Sequence, residues 1–143
     1  MKKSVLVLGF VLVCLVGVAW AISLGDMTMY DGSGSPAGRM TSSGYVYNGS
    51  GSPAGRIDGN NFYDGSGSPA GRVDGDRFYD GSGSPAGRVE SNGYFYNGSG
   101  SPAGRIESNG YFYDGSGSPA GRFEGYKSDY MHQAVGWILL LRK

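Results

Sequence analysis

The chain has 143 residues, with twelve basic and twelve acidic side chains, 28 glycines and one cysteine. Its balanced charge is no footprint of a nucleic-acid binder, and one cysteine cannot make a disulfide framework. No Gly-x-Ser-x-Gly elbow, His-Glu-x-x-His pair or Gly-Lys-Ser/Thr phosphate loop occurs, so the common hydrolase, metalloprotease and nucleotide-binding signatures are absent from the sequence.

The first 21 residues read as a secretory signal peptide. Lys2 and Lys3 form a basic start, Val5 to Val18 is almost wholly apolar, and Ala19-Trp20-Ala21 offers small residues at both positions a signal peptidase reads. The rival is an uncleaved anchor, since the apolar run from Ser4 to Leu24 approaches a span and is ended by Asp26. A lipoprotein reading of Cys14 needs a small residue before it, and Val13 stands there. Cleavage after Ala21 would leave a chain without cysteine or thiolate chemistry. Ten basic and twelve acidic residues would remain, a net charge of −2.

Residues 22–125 form the repeat domain. Gly-Ser-Gly-Ser-Pro-Ala-Gly-Arg occurs six times, starting at Gly32, Gly49, Gly65, Gly81, Gly98 and Gly115, with steps of 16 or 17 residues. The one-residue variation falls in the text between copies. In a short unit, Gly59-Asn60 makes a two-residue hairpin loop, so Ile57 faces Phe62 and Arg56 faces Tyr63. Likewise Val73 faces Phe78 and Arg72 faces Tyr79. In a long unit, Ser108-Asn109-Gly110 makes a three-residue loop with Gly110 left-handed. Ile106 then faces Phe112 and Arg105 faces Tyr113. Val89 with Phe95 and Met40 with Val46 follow the same scheme. A one-residue slip would turn every apolar side chain to the wrong face. The length changes fall where a hairpin absorbs them, which predicts paired strands rather than coil.

The other connection, Asp/Asn-Gly-Ser-Gly-Ser-Pro, is a turn opened by a side chain that bonds its own backbone. Asp31, Asp64, Asp80 and Asp114 exchange there with Asn48 and Asn97, so the charge is not what the turn requires. The predicted inward residues are Met40, Val46, Ile57, Phe62, Val73, Phe78, Val89, Phe95, Ile106, Phe112 and Phe123. Repeated hairpins build either an open solenoid or a closed ring, which removes unpaired edges.

Residues 126–143 depart from the repeat. Ser128 reads as an N-cap, and Met131, Ala134, Val135 and Ile138 lie on one face of a short helix. Trp137 to Leu141 reads as an apolar last strand or plug packing on the repeats, too short to span a membrane. The mature chain is expected to have no transmembrane span.

The unit Tyr-Asp/Asn-x-x-Gly-x-x-x-Gly-Arg-Ile/Val-Asp/Glu-Gly is carried by Tyr63, Asp64, Gly67, Gly71, Arg72, Val73, Asp74 and Gly75. It resembles the repeat of bacterial β-flower proteins, known in four-fold and five-fold forms, over residues 26 to 125; the tail is similar too. The resemblance implies an all-β fold: short antiparallel hairpins in 16–17-residue units, closed into a pseudo-symmetric flower or ring with a C-terminal helix and apolar strand. It implies a small secreted or surface protein, and no catalytic residue or cofactor. Six turns stand here against the four or five of the known forms.

The candidate binding surface is a Tyr/Arg stripe comprising Tyr47, Arg56, Tyr63, Arg72, Tyr79, Tyr94, Tyr96, Arg105, Tyr111 and Tyr113. Arginine stacked on tyrosine would stabilise the sheet from within. The same stripe would also offer a row of shallow aromatic sites for glycans or peptides. His132 is expected at the surface. Asp74-Gly75-Asp76 resembles a fragment of a calcium loop but lacks the oxygen count of a site. The expectation is therefore a non-enzymatic protein, secreted or at the periplasm or cell surface, with no cofactor and no metal. It would have a structural or binding role at the cell envelope, with cell-wall glycan or another envelope protein as partner. The alternatives are a glycan-binding module using the stripe, and a flexible Gly/Ser/Tyr-rich secreted material.

Overall fold

The computed structural model describes residues 25–142. The expected leader, its cleavage after Ala21, and Cys14 lie outside the described residues.

Twelve strands follow in chain order: β1 (Met27–Asp31), β2 (Pro36–Met40), β3 (Tyr45–Asn48), β4 (Pro53–Asp58), β5 (Asn61–Asp64), β6 (Pro69–Asp74), β7 (Arg77–Asp80), β8 (Pro85–Val89), β9 (Tyr94–Asn97), β10 (Pro102–Ile106), β11 (Tyr111–Asp114) and β12 (Pro119–Glu124). Each pairs antiparallel with its neighbours in sequence, and β12 returns to pair with β1, so the sheet closes into a barrel. Closure removes every free edge. The register is the one the hairpin loops predict: Ile57 opposite Phe62, Val73 opposite Phe78, Val89 opposite Phe95, Ile106 opposite Phe112 and Met40 opposite Val46. The one-residue difference in loop length leaves the ladder unchanged. Val73 N–H donates to Asn60 O, and Ile106 N–H donates to Gly93 O, from a short and a long loop respectively. A closed barrel of paired strands leaves no place for the flexible-material alternative.

All eleven predicted inward residues are buried. Met27 and Met29 on β1 join them. Met29 sits before Tyr30 as Phe62 sits before Tyr63, so the repeat itself marks it as inward, and it faces Phe123 across the closing pair.

Every second ladder carries a bulge at the alanine of Pro-Ala-Gly. Phe62 faces Gly71 and Tyr63 faces Pro69, which leaves Ala70 extra; the same skip recurs at Ala37, Ala54, Ala86, Ala103 and Ala120. A bulge adds local twist and bends the strand, which helps strands of four to six residues curl into a ring. All six alanines pack against the core.

The barrel is filled by the tail. A single 3-10 turn at Ser128–Tyr130 leads into α1 (Met131–Gly136), which continues as a π-helical turn over Trp137–Leu141. Arg142 N–H donates to Trp137 O at 2.9 Å. Two expectations are corrected. Trp137–Leu141 is helical rather than a strand, because the closed ring has no edge left to accept one; the plug is what forms. Ser128 is the first residue of the 3-10 turn rather than its cap, a place held by Lys127 without a side-chain bond.

The ring can receive a helix because the strands facing it carry glycine. A Cβ on Gly38 would lie 2.7 Å from Trp137 Cζ2, and on Gly71 it would lie 2.9 Å from Leu140 Cδ1. Trp137 packs on Phe123, ring centroids 5.5 Å apart, and Phe123 packs on Phe112 at 5.1 Å. No helix among the described residues is long and apolar enough to cross a membrane. The strands are also shorter than the roughly nine to eleven residues a membrane barrel needs.

Candidate functional site

The turns at one rim are built alike. Asp31 Oδ1 accepts from Ser33 N–H (2.9 Å), Ser33 Oγ–H (2.6 Å) and Ser35 N–H (3.0 Å). Asn48 Oδ1 accepts the corresponding three bonds at 3.0, 2.7 and 3.0 Å. The exchange of Asp for Asn is therefore neutral to the turn. The acids respond to the same donors: the serine hydroxyl first, then the backbone N–H groups, hold Asp31, Asp80 and Asp114 below the ordinary carboxylate range. The first glycine of each turn packs on the preceding hairpin. A Cβ on Gly49 would lie 2.5 Å from Pro36 O, and on Gly32 it would lie 2.9 Å from Pro119 O, across the closing pair.

The outer wall carries the predicted Tyr/Arg stripe. The guanidinium carbon stands over the facing ring at 4.6 Å for Arg56 and Tyr63, 4.4 Å for Arg72 and Tyr79, and 4.7 Å for Arg105 and Tyr113. Arg39 over Tyr47, Arg88 over Tyr96 and Arg122 over Tyr30 complete the ring, at 5.2, 3.8 and 4.1 Å. Five of these arginines also meet the acid two residues on, in Arg56–Asp58, Arg72–Asp74, Arg88–Glu90, Arg105–Glu107 and Arg122–Glu124 pairs of 3.0 to 3.8 Å. A hydrogen bond to Glu90 is the main cause that raises the Tyr96 phenol above its ordinary pKa.

The register arranges these groups in diagonal rows of four strands. Tyr94 faces Arg105, Arg105 faces Tyr113, and Tyr113 faces Pro119. The first position of the row is the variable one: Thr28, Tyr45, Asn61, Arg77, Tyr94 or Tyr111. Tyr45, Tyr94 and Tyr111 are the large apolar side chains most exposed, at 51, 44 and 48%. Tyr47, Tyr63, Tyr79, Tyr96 and Tyr113 are less exposed, each lying against its arginine. The ten candidate residues thus share one outer face, and Arg39, Arg88, Arg122, Tyr30 and Tyr45 extend it. The repeat could have supplied these five, since each holds the same position in its own unit.

Shallow grooves lie between the rows. One, of about 280 Å³, is lined by Tyr45, Tyr47, Pro53, Arg56 and the turn from Asp64. A second, of about 360 Å³, is lined by Tyr94, Pro102, Arg105, Tyr113 and the turn from Asp114. A third, of about 270 Å³, has Arg77 in the place of the variable tyrosine, beside Tyr79, Pro85, Arg88 and the turn from Asn97. A larger cavity of about 620 Å³ opens at the mouth of the ring, over Leu139, Leu140 and Leu141 with Ala54, Ala70 and Ala86 around them. His132 lies outside the stripe, with Nε2 2.9 Å from Asp76 Oδ1. No cluster of three or more potential metal ligands occurs among the described residues.

No curated protein and no solved structure matches the chain. The family model described as 5-fold beta-flower protein matches residues 26–139. That span takes in all twelve strands and the plug through Leu139, and this ring carries six Gly-Ser-Gly-Ser turns where the family description is five-fold. The chain belongs to the 5-fold β-flower family.

Proposed function

We propose that this is a secreted, non-catalytic protein that binds saccharide chains of the cell envelope in the grooves of its outer wall. The observation that carries the reading is the recurrence of one groove design around the ring. A tyrosine face, a proline ring, a guanidinium already neutralised by its own acid, and a hydroxyl-rich Gly-Ser-Gly backbone recur from unit to unit. Sugar rings present apolar C–H faces and hydroxyls, which such a surface complements. Several weak, equivalent sites on one rigid ring gain avidity on a polymer that repeats. The rigid barrel also lowers the ordering cost of binding. A secreted location is supported by the basic, apolar and Ala-x-Ala pattern of residues 1–21.

The test is co-sedimentation of the chain from Ile22 with purified cell wall, against a Tyr94→Ala/Tyr111→Ala variant. Both tyrosines are exposed, so the variant should keep its β spectrum and a cooperative melt, with a loss of no more than about 1 kcal/mol from the Tyr94–Arg105 contact, while losing at least about ten-fold in affinity, the size of a few lost aromatic contacts. No saturable binding by the parent chain would overturn the reading.

A further inference from the structure

The grooves are not alike in charge, and the Asp/Asn exchange accounts for much of the difference. Where the turn opens with Asp, as at Asp64 and Asp114, the groove is lined by one arginine and the turn aspartate, and that arginine is already paired to the acid two residues on, beside the groove. The groove opening on Asn97 differs at two places. Its turn is neutral, and its variable residue is Arg77, in register beside Arg88. Glu90 pairs with Arg88, and Asp74, the register partner of Arg77 on its other side, pairs with Arg72 at 3.8 Å. One positive charge is therefore left in excess at the Asn97 groove, against one negative charge at each of the two others. The second neutral turn, at Asn48, follows Arg39, whose following acid is replaced by Thr41.

We infer that the groove formed by Arg77, Arg88, Tyr79 and the Asn97–Gly100 turn is a subsite for an oxyanion, a carboxylate or phosphate carried on a sugar ring. Two like charges placed face to face across a ladder cost stability, and an anion between them turns that cost into attraction. Guanidinium groups bind such oxygens by two parallel N–H donors. Tyr79 and Pro85 offer the apolar wall for the ring that bears the anion. The subsite deepens the saccharide reading above by giving part of the ligand a charge.

The experiment is nuclear magnetic resonance titration of the chain from Ile22 with glucuronate, glucose 6-phosphate, glucose and inorganic phosphate, following the backbone amides of Gly98–Gly100 and of Gly115–Gly117. Glucuronate or glucose 6-phosphate should move the first set and not the second, more tightly than glucose does. The anion-dependent part should fade at about 0.5 M salt, where the screening length is a few Å. Comparison of the two acids tells carboxylate from phosphate. Arg77→Gln should weaken the anions by about ten-fold or more, the scale of one lost charge-assisted bond. Asn97→Asp, which keeps the turn as Asp114 does, should weaken them similarly. Equal binding of glucose and glucuronate, or anion shifts spread equally over both turns, would overturn the subsite. If inorganic phosphate moves Gly98–Gly100 while no sugar binds anywhere, the anion site stands and the saccharide reading fails. If neither sugars nor anions move any amide, both fail.

Discussion

Arg122 on β12 stacks over the ring of Tyr30 on β1, its guanidinium carbon 4.1 Å from the ring centroid, and the two are register partners across the strands that close the barrel. The other five pairs of the same kind join strands that a short loop already holds together. This one joins the first strand to the last. Arg122→Ala and Arg72→Ala should each cost about 0.5–1 kcal/mol, the worth of an exposed cation–π contact. Arg122→Ala should also increase hydrogen exchange along β1 and β12, which Arg72→Ala should leave unchanged. Denaturant unfolding with exchange mass spectrometry checks both, and equal exchange in the two variants would show that the closing pair is no weaker than the rest.

Trp137 is buried in the ring against Phe123 and beside Gly38. Trp137→Ala should cost about 3–5 kcal/mol, the usual loss for a large core aromatic. Its unfolding should lose cooperativity, because Trp137 ties the plug to the same core in which Phe123 packs on Phe112. A calorimetric melt of unchanged midpoint would mean the ring stands without its filling.

Gly49 packs where a methyl would come 2.5 Å from the carbonyl of Pro36. Gly49→Ala should destabilise by about 1–3 kcal/mol, as overpacking does. Ser50→Ala in the same turn should cost less, since it removes exposed hydroxyl bonds to Asn48 Oδ1 and Ser52 Oγ and brings no overlap. A reversed order in urea unfolding would refute the stacking of turn on hairpin.

The turn acids give a pH dependence of known sign. Serine hydroxyls and backbone N–H groups lower the folded pKa of Asp31, Asp80 and Asp114. Their stabilising contribution is present above the unfolded value of about 3.9 and is lost as the pH falls through the lower folded value. The triple Asp→Asn variant should fold at neutral pH, as Asn48 and Asn97 already serve the same turn, and its stability should fall less than the parent's as the pH is lowered from neutral through the unfolded value of about 3.9 and below. Parallel acid curves would show that the turn bonds do not distinguish the ionised carboxylate.

Much of the fold is written locally. Gly59-Asn60 and Ser108-Asn109-Gly110 differ by one residue, yet only one register keeps Ile57 on Phe62 and Ile106 on Phe112. Side-chain alternation has a period of two, so a chain can state that pairing in its own order. The Arg/Tyr pairing follows from the same register, which is why the ten stripe residues were found together on one face. The Asp/Asn exchange likewise told in advance that the turn needs an oxygen acceptor and not a charge.

Closure and filling depend on the whole chain. The Met29–Phe123 and Tyr30–Arg122 pairs join residues 94 and 92 positions apart, and no local pattern states that the last strand reaches the first. The bulge at Pro-Ala-Gly is invisible in the alternation because it breaks it. Trp137–Leu141 is as apolar as a strand or a helix would be, and only a ring with no free edge and with glycines along its inner wall decides for a helix. The sequence by itself therefore determined strand, turn and register, which neighbouring residues settle. The tertiary structure decided the ring, its plug and the grooves between units, because each of those exists only where residues remote in the chain come within contact.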